Sequence, residues 1–298
     1  MARITGTTKL AGVIGWPIEH SLSPVMHNAV YEELGLDWAY IPLAVEDEIG
    51  LRRVAAAIRA LPFVGFNVTM PHKAAVLELC DEVATAASMA GAVNTVQVVD
   101  GRLVGYNTDG RGMLESLSED ASFSPEGKRV VLLGAGGAAG AALVAFILGK
   151  ATNVCVVSRE LSRAEDLVSR VTPHMKAADA CCLTFATAEE SVRAADLIVN
   201  ATPVGMRSGD PSPIPGSWLS SGQVVLDMVY GSTGSTALLT DARAAGAVAL
   251  DGLGMLVGQG AIAVDIWNPE HERRTPRATM RRAAEVELER RARLGGAR

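Results

Sequence analysis

Apolar and polar positions along this chain alternate between the period of a strand and the period of a helix. Short apolar runs at Leu10 to Gly15, Trp38 to Leu43 and Phe63 to Val68 read as strands, while Ser23 to Leu34, Gly50 to Ala60 and Lys73 to Cys80 carry helical spacing. Such alternation predicts an α/β layer. Thr95 to Val99 and Leu103 to Tyr106 bracket Asp100-Gly101, a strong hairpin signal, so the first sheet is expected to be mixed. Between Leu117 and Arg129 the apolar period gives way to Ser, Glu, Asp, Pro and Gly, and a connection to a second domain is expected nearby. The pattern then resumes with a helix at Ser162 to Arg170, a short strand at Leu183 to Ala186, a segment Ala194 to Asn200 that ends as a strand, and a strand at Gln223 to Val229. That succession predicts a doubly wound sheet. Gly205 to Gly216 reads as a loop at the carboxyl end of a strand. From Gly252 a helical apolar period runs through Trp267 and is expected to pack back on the first domain.

The sharpest local pattern is Val130-Val-Leu-Leu-Gly-Ala-Gly-Gly-Ala-Ala-Gly140, an apolar strand that runs into glycines and then an alanine-rich helix. Gly134 permits the tight turn, Gly136 lets the backbone approach a pyrophosphate, and Ala139 stands where the pattern accepts Gly or Ala for close helix packing. The helix N-terminus offers free N–H groups to phosphate. Taken alone the glycines also suit an ordinary turn. A second apolar strand at Asn153 to Val157, ending in Ser158-Arg159-Glu160 where a ribose-reading residue belongs, makes this a nucleotide-binding Rossmann unit.

Composition narrows the class further. A chain of 298 residues suits two domains, each with its own core. Hydrophobic residues make up 49% against 20% charged, and no window holds the roughly eighteen uninterrupted apolar residues of a membrane helix, so no membrane partner is expected. The N-terminus lacks the basic stretch, apolar core and cleavage site of a secretory signal, which makes the cytoplasm the expected location. Cys80, Cys155, Cys181 and Cys182 form no C-x-x-C pair and have no histidine at ligand spacing; they are expected to be thiols, with no metal site. The net charge of −6 provides no basic field for nucleic acid. The Arg-rich run from Arg273 onward alternates with Glu285, Glu287 and Glu289 and reads as a solvated terminal helix with opposite charges three to four residues apart. Neither a heptad nor an exposed apolar stripe stands out, so a monomer and a homodimer are both open.

Several polar clusters in the first part have chemical potential. Ser21 and Ser23, in His20-Ser21-Leu22-Ser23-Pro24, stand just before a helix, where two hydroxyls and helix N–H groups hold an anion; a plain serine cap ahead of Pro24 explains the same residues. Asn67-Val-Thr-Met-Pro-His-Lys73 ends an apolar strand with a lysine. Asn94-Thr95 precedes the hairpin, and Asn107, Thr108 and Asp109 follow it. A Lys and an Asp that meet form a proton-transfer pair, because the carboxylate orients the ammonium and each tunes the other. His72 is adjacent to Lys73 and therefore points elsewhere.

Together these clusters resemble the shikimate dehydrogenase family, including its quinate/shikimate paralogues. The resemblance rests on His20 to Pro24, Asn67 to Lys73, Gly91-Ala92-Val93-Asn94-Thr95, Asn107 to Gly110, Gly134 to Ala138, Asn200-Ala201-Thr202-Pro203 and Asp251 to Val257, all in family order. It implies an N-terminal α/β substrate domain over residues 1–113, completed by 254–298, and a Rossmann domain over 114–253, with a cleft between them. It implies that Ser21 and Ser23 hold the carboxylate of a cyclohexene acid, that Thr69, Lys73, Asn94, Asp109 and Gln259 surround its ring hydroxyls, and that Lys73 and Asp109 are the catalytic pair. Tyr230 resembles the tyrosine that reaches the substrate from the cofactor domain. Gly134, Ala135, Gly136, Gly137 and Ala138 would hold the cofactor diphosphate, with Thr202 and Gly254 near the nicotinamide. The implied reaction is the reversible, NAD(P)H-dependent reduction of 3-dehydroshikimate to shikimate.

The chain departs from the family after the second Rossmann strand. NADP-using members carry Asn-Arg-Thr there with a further Arg, whereas this chain has Ser158-Arg159-Glu160 and then Arg163. Two arginines suit a 2′-phosphate, but Glu160 suits a free 2′-hydroxyl. A charge pair about 4 Å apart is worth roughly 4 kcal/mol at an effective dielectric of about 20, so the direction of Glu160 decides between NADP and NAD. The arginines favour NADP, with NAD or dual use open. Ser23, in place of the Thr found in quinate-accepting members, favours shikimate. The alternatives are a quinate or aminoshikimate dehydrogenase with NAD preference and a non-catalytic nucleotide-binding regulator; the presence of both Lys73 and Asp109 weighs against the latter.

Overall fold

The first alternation folds as β1 (Lys9–Gly15), α1 (Ser23–Leu34), β2 (Trp38–Ala44), α2 (Glu48–Ile58) and β3 (Phe63–Val68), followed by β4 (Glu82–Val83), α3 (Thr85–Ala90), β5 (Thr95–Val99) and β6 (Arg102–Tyr106). In this computed structural model the residues described are 4–174, 179–207, 209–230, 235–271 and 274–295. The six strands form one sheet in the order β2-β1-β3-β5-β6-β4. β1 pairs parallel with β2 and β3, while β5 pairs antiparallel with β3 and β6, which makes the sheet mixed as the hairpin required. Asp100 and Gly101 both have positive φ, 50° and 75°, the backbone of a two-residue hairpin turn that matches strand twist. α2 starts two residues before the expected Gly50 because Asp47 is its cap, accepting the Gly50 N–H at 2.7 Å.

The second stretch gives α4 (Asp109–Ala121), β7 (Arg129–Leu133), α5 (Gly137–Leu148), β8 (Asn153–Ser158), α6 (Leu161–Val171), β9 (Asp179–Thr184), α7 (Glu189–Ala194), β10 (Leu197–Asn200), β11 (Val224–Asp227), α8 (Ala237–Ala244), β12 (Val248–Leu250) and α9 (Leu253–Trp267), and the chain ends in α10 (Arg277–Gly295). The second sheet is wholly parallel in the order β12-β11-β10-β7-β8-β9, a doubly wound arrangement whose direction of winding switches between β7 and β10. Its inner strands are continuous apolar runs because helices cover both faces; Leu132, Val156 and Ile198 are fully buried.

Contacts divide the chain into Met1–Thr108 with Val257–Arg298, and Asp109–Leu256. The lapse of apolar period placed at Leu117 begins only after α4 ends at Ala121, since Met113, Ser116 and Leu117 still face inward. Lys73 to Cys80, expected as a helix, is ordered only as a 3-10 turn at Ala75–Leu79, and the strand expected at Leu183 to Ala186 covers the end of β9 and a following 3-10 turn at Phe185–Thr187. β4, α3, α8 and β12 are too short for a period to register. The expectation of four thiols is corrected: Cys155 and Cys181, register partners on β8 and β9 with Cα atoms 4.5 Å apart, form a disulfide, and Cys80 and Cys182 are free. Parallel register sets that proximity, and spacing along the chain does not reveal it.

α9 reaches the first sheet at its C-terminal end. The Trp267 indole N–H donates to the Val96 carbonyl at 2.9 Å, and it does so directly over Gly65. A Cβ at Gly65 would collide with Trp267 Nε1 and lie 2.5 Å from the Val96 oxygen. Gly65→Ala is expected to destabilise the protein by about 3 kcal/mol, from overpacking plus the lost indole hydrogen bond, read as a lower urea midpoint at unchanged slope. A change below about 0.5 kcal/mol would show that the indole is not fixed there.

Candidate active site

Strand register brings a set of amides and hydroxyls together inside the first unit. Asn67, at the carboxyl end of β3, donates from Nδ2 to the Asn94 carbonyl at 3.3 Å and to Thr95 Oγ1 at 3.0 Å, and its Oδ1 accepts the Tyr40 hydroxyl at 2.7 Å. Asn94 Oδ1 in turn accepts the Thr108 N–H at 2.8 Å and the Thr95 hydroxyl at 3.0 Å, while its Nδ2 donates to Thr108 Oγ1 at 3.0 Å and Gln259 Oε1 at 3.3 Å. Asn67, Asn94, Thr95, Thr108 and Gln259 are all buried, so the hydrogen bonds replace water that these groups have lost. Asn94 and Gln259 were expected site residues. Asn67 and Thr108 stood in the motifs without a role, and only the pairing of β3 with β5 shows that they hold Asn94 in place.

Lys73 and Thr69 border this network. The Lys73 carbonyl accepts the Val93 N–H at 2.8 Å, and the Thr69 N–H donates to the Ile14 carbonyl at 2.8 Å, so the irregular segment after β3 is fastened at both ends. Lys73 and Thr69 are both half-buried. His72 is buried, with Nε2 2.6 Å from the Val45 carbonyl. The two serines do not act as a plain helix cap: Leu22 occupies the N-cap of α1 and no side chain caps it. Instead Ser21 Oγ accepts the Ser23 N–H at 3.2 Å, which leaves the Ser21 hydroxyl proton directed elsewhere.

The second unit carries the nucleotide features. Gly134 follows β7 with φ of +112°, its N–H donates to the Val157 carbonyl at 2.7 Å, and a Cβ there would lie 3.0 Å from the Ala201 oxygen. Only glycine fits that conformation without strain. Gly136 caps α5 and faces open space, whereas Ala139 beyond it is fully buried. Ala135, Gly137 and Ala138 remain accessible to solvent in whole or part at the start of α5. The turn and the free helix N–H groups thus fit a diphosphate at the switch point.

Beside the turn, Thr202 Oγ1 donates to Asn200 Oδ1 at 2.6 Å, and Asn200 Nδ2 donates to Asp227 Oδ1 at 2.9 Å. Asn200 and Asp227 are register partners on β10 and β11, and burial raises the Asp227 carboxyl above its ordinary range. Asp210 gathers the Gly205 and Arg207 N–H groups, each at 3.0 Å, and orders the loop beyond Thr202. These backbone hydrogen bonds hold its carboxyl below the ordinary range. Tyr230 is half-buried after β11. Gly254 lies against α4, where a Cβ would strike Ser116 Oγ and Asp120 Oδ2. Asp109 is buried in the first turn of α4, a favourable end for a carboxylate.

Ser158 ends β8 buried, and Arg159, Glu160 and Arg163 follow at the surface. Glu160 Oε2 meets Arg163 Nε at 3.1 Å. Arg159 has no ion pair among the described residues.

These two units hold the parts of a two-domain, nucleotide-dependent dehydrogenase. The family model of the shikimate dehydrogenase substrate binding domain matches residues 13–96, and that of shikimate / quinate 5-dehydrogenase matches residues 116–205. The chain belongs to the shikimate dehydrogenase family. It is 43% identical over 266 residues to shikimate dehydrogenase (NADP(+)) of Geobacter metallireducens, covering 89% of this chain and 92% of that one. It is 42% identical over 273 residues to the enzyme of the same name from Methanopyrus kandleri, covering 90% and 92%. Among solved structures it resembles shikimate 5-dehydrogenase of Listeria monocytogenes in complex with shikimate and NAD, with TM-score 0.86, 34% identity, and 95% and 98% covered. It also resembles the Thermus thermophilus enzyme in complex with NADP(H) and shikimate, with TM-score 0.82, 35% identity, and 93% and 99% covered. Ligand-free 5-ketofructose reductase of a Gluconobacter strain gives TM-score 0.81 at 37% identity, with 95% and 99% covered.

No helix among the described residues is long and apolar enough to cross a membrane. Among the described residues no group of three or more His, Cys, Asp and Glu is placed to hold a metal ion.

Proposed function

We propose that the protein catalyses the reversible reduction of 3-dehydroshikimate to shikimate with NADPH. The observation that carries this reading is the buried network of Asn67, Asn94, Thr95, Thr108 and Gln259 next to Lys73, a set of fixed donors and acceptors suited to ring hydroxyls, in a chain of this family. Ser21 and Ser23 hold the ring carboxylate, Thr69, Asn94 and Gln259 hold the hydroxyls, and Tyr230 is a further substrate-binding side chain. Ser23, lacking an extra methyl, favours shikimate over quinate by the roughly 1–3 kcal/mol that such a group is typically worth.

Reduction of the ketone needs a hydride at carbon and a proton at oxygen. When bound, the nicotinamide supplies the hydride. The Lys73 ammonium delivers the proton to the carbonyl oxygen, and Asp109 orients Lys73 and the forming hydroxyl; in the oxidative direction Lys73 takes the proton back. Residues 134–138 hold the diphosphate, Thr202 and Gly254 stand by the nicotinamide, and Ser158, Arg159 and Arg163 receive the adenosine 2′-phosphate. Steady-state oxidation of shikimate and quinate, each with NADP and NAD, and reduction of 5-ketofructose as a further carbonyl substrate, tests the reading. Shikimate with NADP is expected to have the highest kcat/KM; dominance of any other combination would replace it.

The Glu160–Arg163 pair bears on cofactor choice. Its side chains are 61% and 65% exposed, so solvent screens them, and the effect of Glu160 is smaller than an unscreened charge pair would give. With Glu160 turned to Arg163, the like charge is partly neutralised but one phosphate-binding arginine is occupied. Glu160→Thr is expected to lower the NADP Kd about tenfold and leave the NAD Kd within about twofold, measured by titration calorimetry. An unchanged NADP Kd would remove Glu160 from cofactor selection.

A further inference from the structure

α10 was expected to be a solvated helix of internal ion pairs, and part of it is: Glu287 pairs with Arg290 at 2.7 Å, and Glu289 with Arg293 at 3.5 Å. One of its arginines does something else. Arg291 donates from one terminal nitrogen to the His20 carbonyl at 2.7 Å and from the other to the Ser21 carbonyl at 3.3 Å, while its Nε donates to Glu287 at 2.7 Å. The helix is fixed on α1 by buried Met280 and Ala284 and by a hydrogen bond from the Thr279 hydroxyl to Glu33. Arg291 thus bridges the chain's last helix to the loop that precedes its first.

We propose that Arg291 is a positioning residue for the Ser21 hydroxyl, acting on carboxylate binding through the backbone of that loop; this rests on the reading that Ser21 and Ser23 hold the substrate carboxylate. Three observations lead to it. The loop from 16 to 22 has no regular structure, and within the loop the Ser21 N–H closes only a turn onto the Ile18 carbonyl at 3.0 Å. The two carbonyls held by the guanidinium belong to the peptide units on either side of the Ser21 Cα, so they set the direction in which the Ser21 side chain leaves the backbone. The forked geometry of arginine fixes both at once, which a lysine cannot do. Ser21 is then held from both sides, by Arg291 at its carbonyl and by the Ser23 N–H at its hydroxyl oxygen, and its proton remains to donate.

Charge is the competing explanation, because a guanidinium near an anion site attracts a carboxylate directly. Glu287 weighs against it. Its carboxyl, held down to about 2 by hydrogen bonds from Arg290 and Arg291, stays ionised and neutralises Arg291 at close range. What Arg291 contributes is therefore the geometry of the loop.

Steady-state kinetics of the full-length Arg291→Leu variant tests this, beside Ser21→Ala, Ser23→Ala and the Arg291→Leu/Ser21→Ala double variant. Arg291→Leu is expected to raise the shikimate KM about tenfold with kcat within about twofold and the NADP Kd unchanged, since misplacement of a binding group costs substrate affinity first. The loss is expected to be absent with the methyl ester of shikimate, and the double variant is expected to be no worse than Ser21→Ala alone. A purely structural role would lower thermal stability and the active fraction without moving KM. Serine variants that raise KM beside an Arg291→Leu that does not would overturn the positioning role alone. Serine variants without effect on KM would overturn the carboxylate reading and the proposal with it. Should Arg291→Leu fail to fold, Arg291→Lys and Glu287→Gln, which loosen the clamp without deleting it, are each expected to raise KM about threefold, and no change in either overturns the proposal.

Discussion

Replacing Lys73 by Met is expected to lower kcat for reduction by about 10²- to 10⁴-fold, the usual contribution of a positioned acid to a proton transfer. Methionine keeps most of the apolar stem of the side chain and removes the ammonium group, with its protons and charge. The Lys73 backbone is fastened through its carbonyl to Val93, beside Asn94, so the substitution leaves the main chain of the site in place. NADPH affinity, measured by fluorescence titration, is expected to be unchanged, which separates a lost proton donor from a misfolded protein. Asp109→Asn, in the first turn of α4, is expected to raise the barrier by a few kcal/mol through the same transfer, with a smaller loss than Lys73→Met. A Lys73→Met variant with kcat within about threefold of the parent would require another proton source and would end the assignment.

The second large effect is expected at Asn94. Asn94→Leu keeps the branching and heavy-atom count of the side chain but removes the acceptor of the buried Thr108 N–H and Thr95 hydroxyl and the donor to Gln259 Oε1. At about 1–3 kcal/mol for each buried group left unmet, and with partial rearrangement, a loss of about 3 kcal/mol in unfolding free energy is expected, together with a rise of at least about tenfold in the shikimate KM. Asn94→Asp discriminates between its two ends: it keeps the oxygen that accepts from Thr108 and Thr95 and puts an acceptor opposite Gln259 Oε1. Stability nearer the parent but a raised KM is expected for it. Denaturant unfolding with a loss below about 0.5 kcal/mol for Asn94→Leu would show that the network is not fixed as described.

Local rules decided most of the architecture. Period and punctuation alone place α1 from Ser23 to Leu34, β3 from Phe63 to Val68, the Asp100-Gly101 hairpin and the glycine turn after β7, because each depends on residues within one or two turns of chain. The same rules misjudged Lys73 to Cys80, where Pro71 and the ties of the segment to Ile14 and Val93 leave only a 3-10 turn. The motif residues were legible as chemistry but not as geometry. Asn94 and Gln259 are 165 positions apart, and Arg291 reaches His20 across 271. No periodicity encodes such a meeting, which follows from strand register and the return of the chain through α9 and α10 to the first unit. The disulfide between Cys155 and Cys181 depends on parallel register in the same way, and the turn of Glu160 toward Arg163 on a side-chain rotamer. The amino-acid sequence by itself determined which elements form and which residue types are available for catalysis; tertiary structure decided which of those residues share a site, because hydrogen bonds and ion pairs act over a few ångströms of space, whatever the distance along the chain.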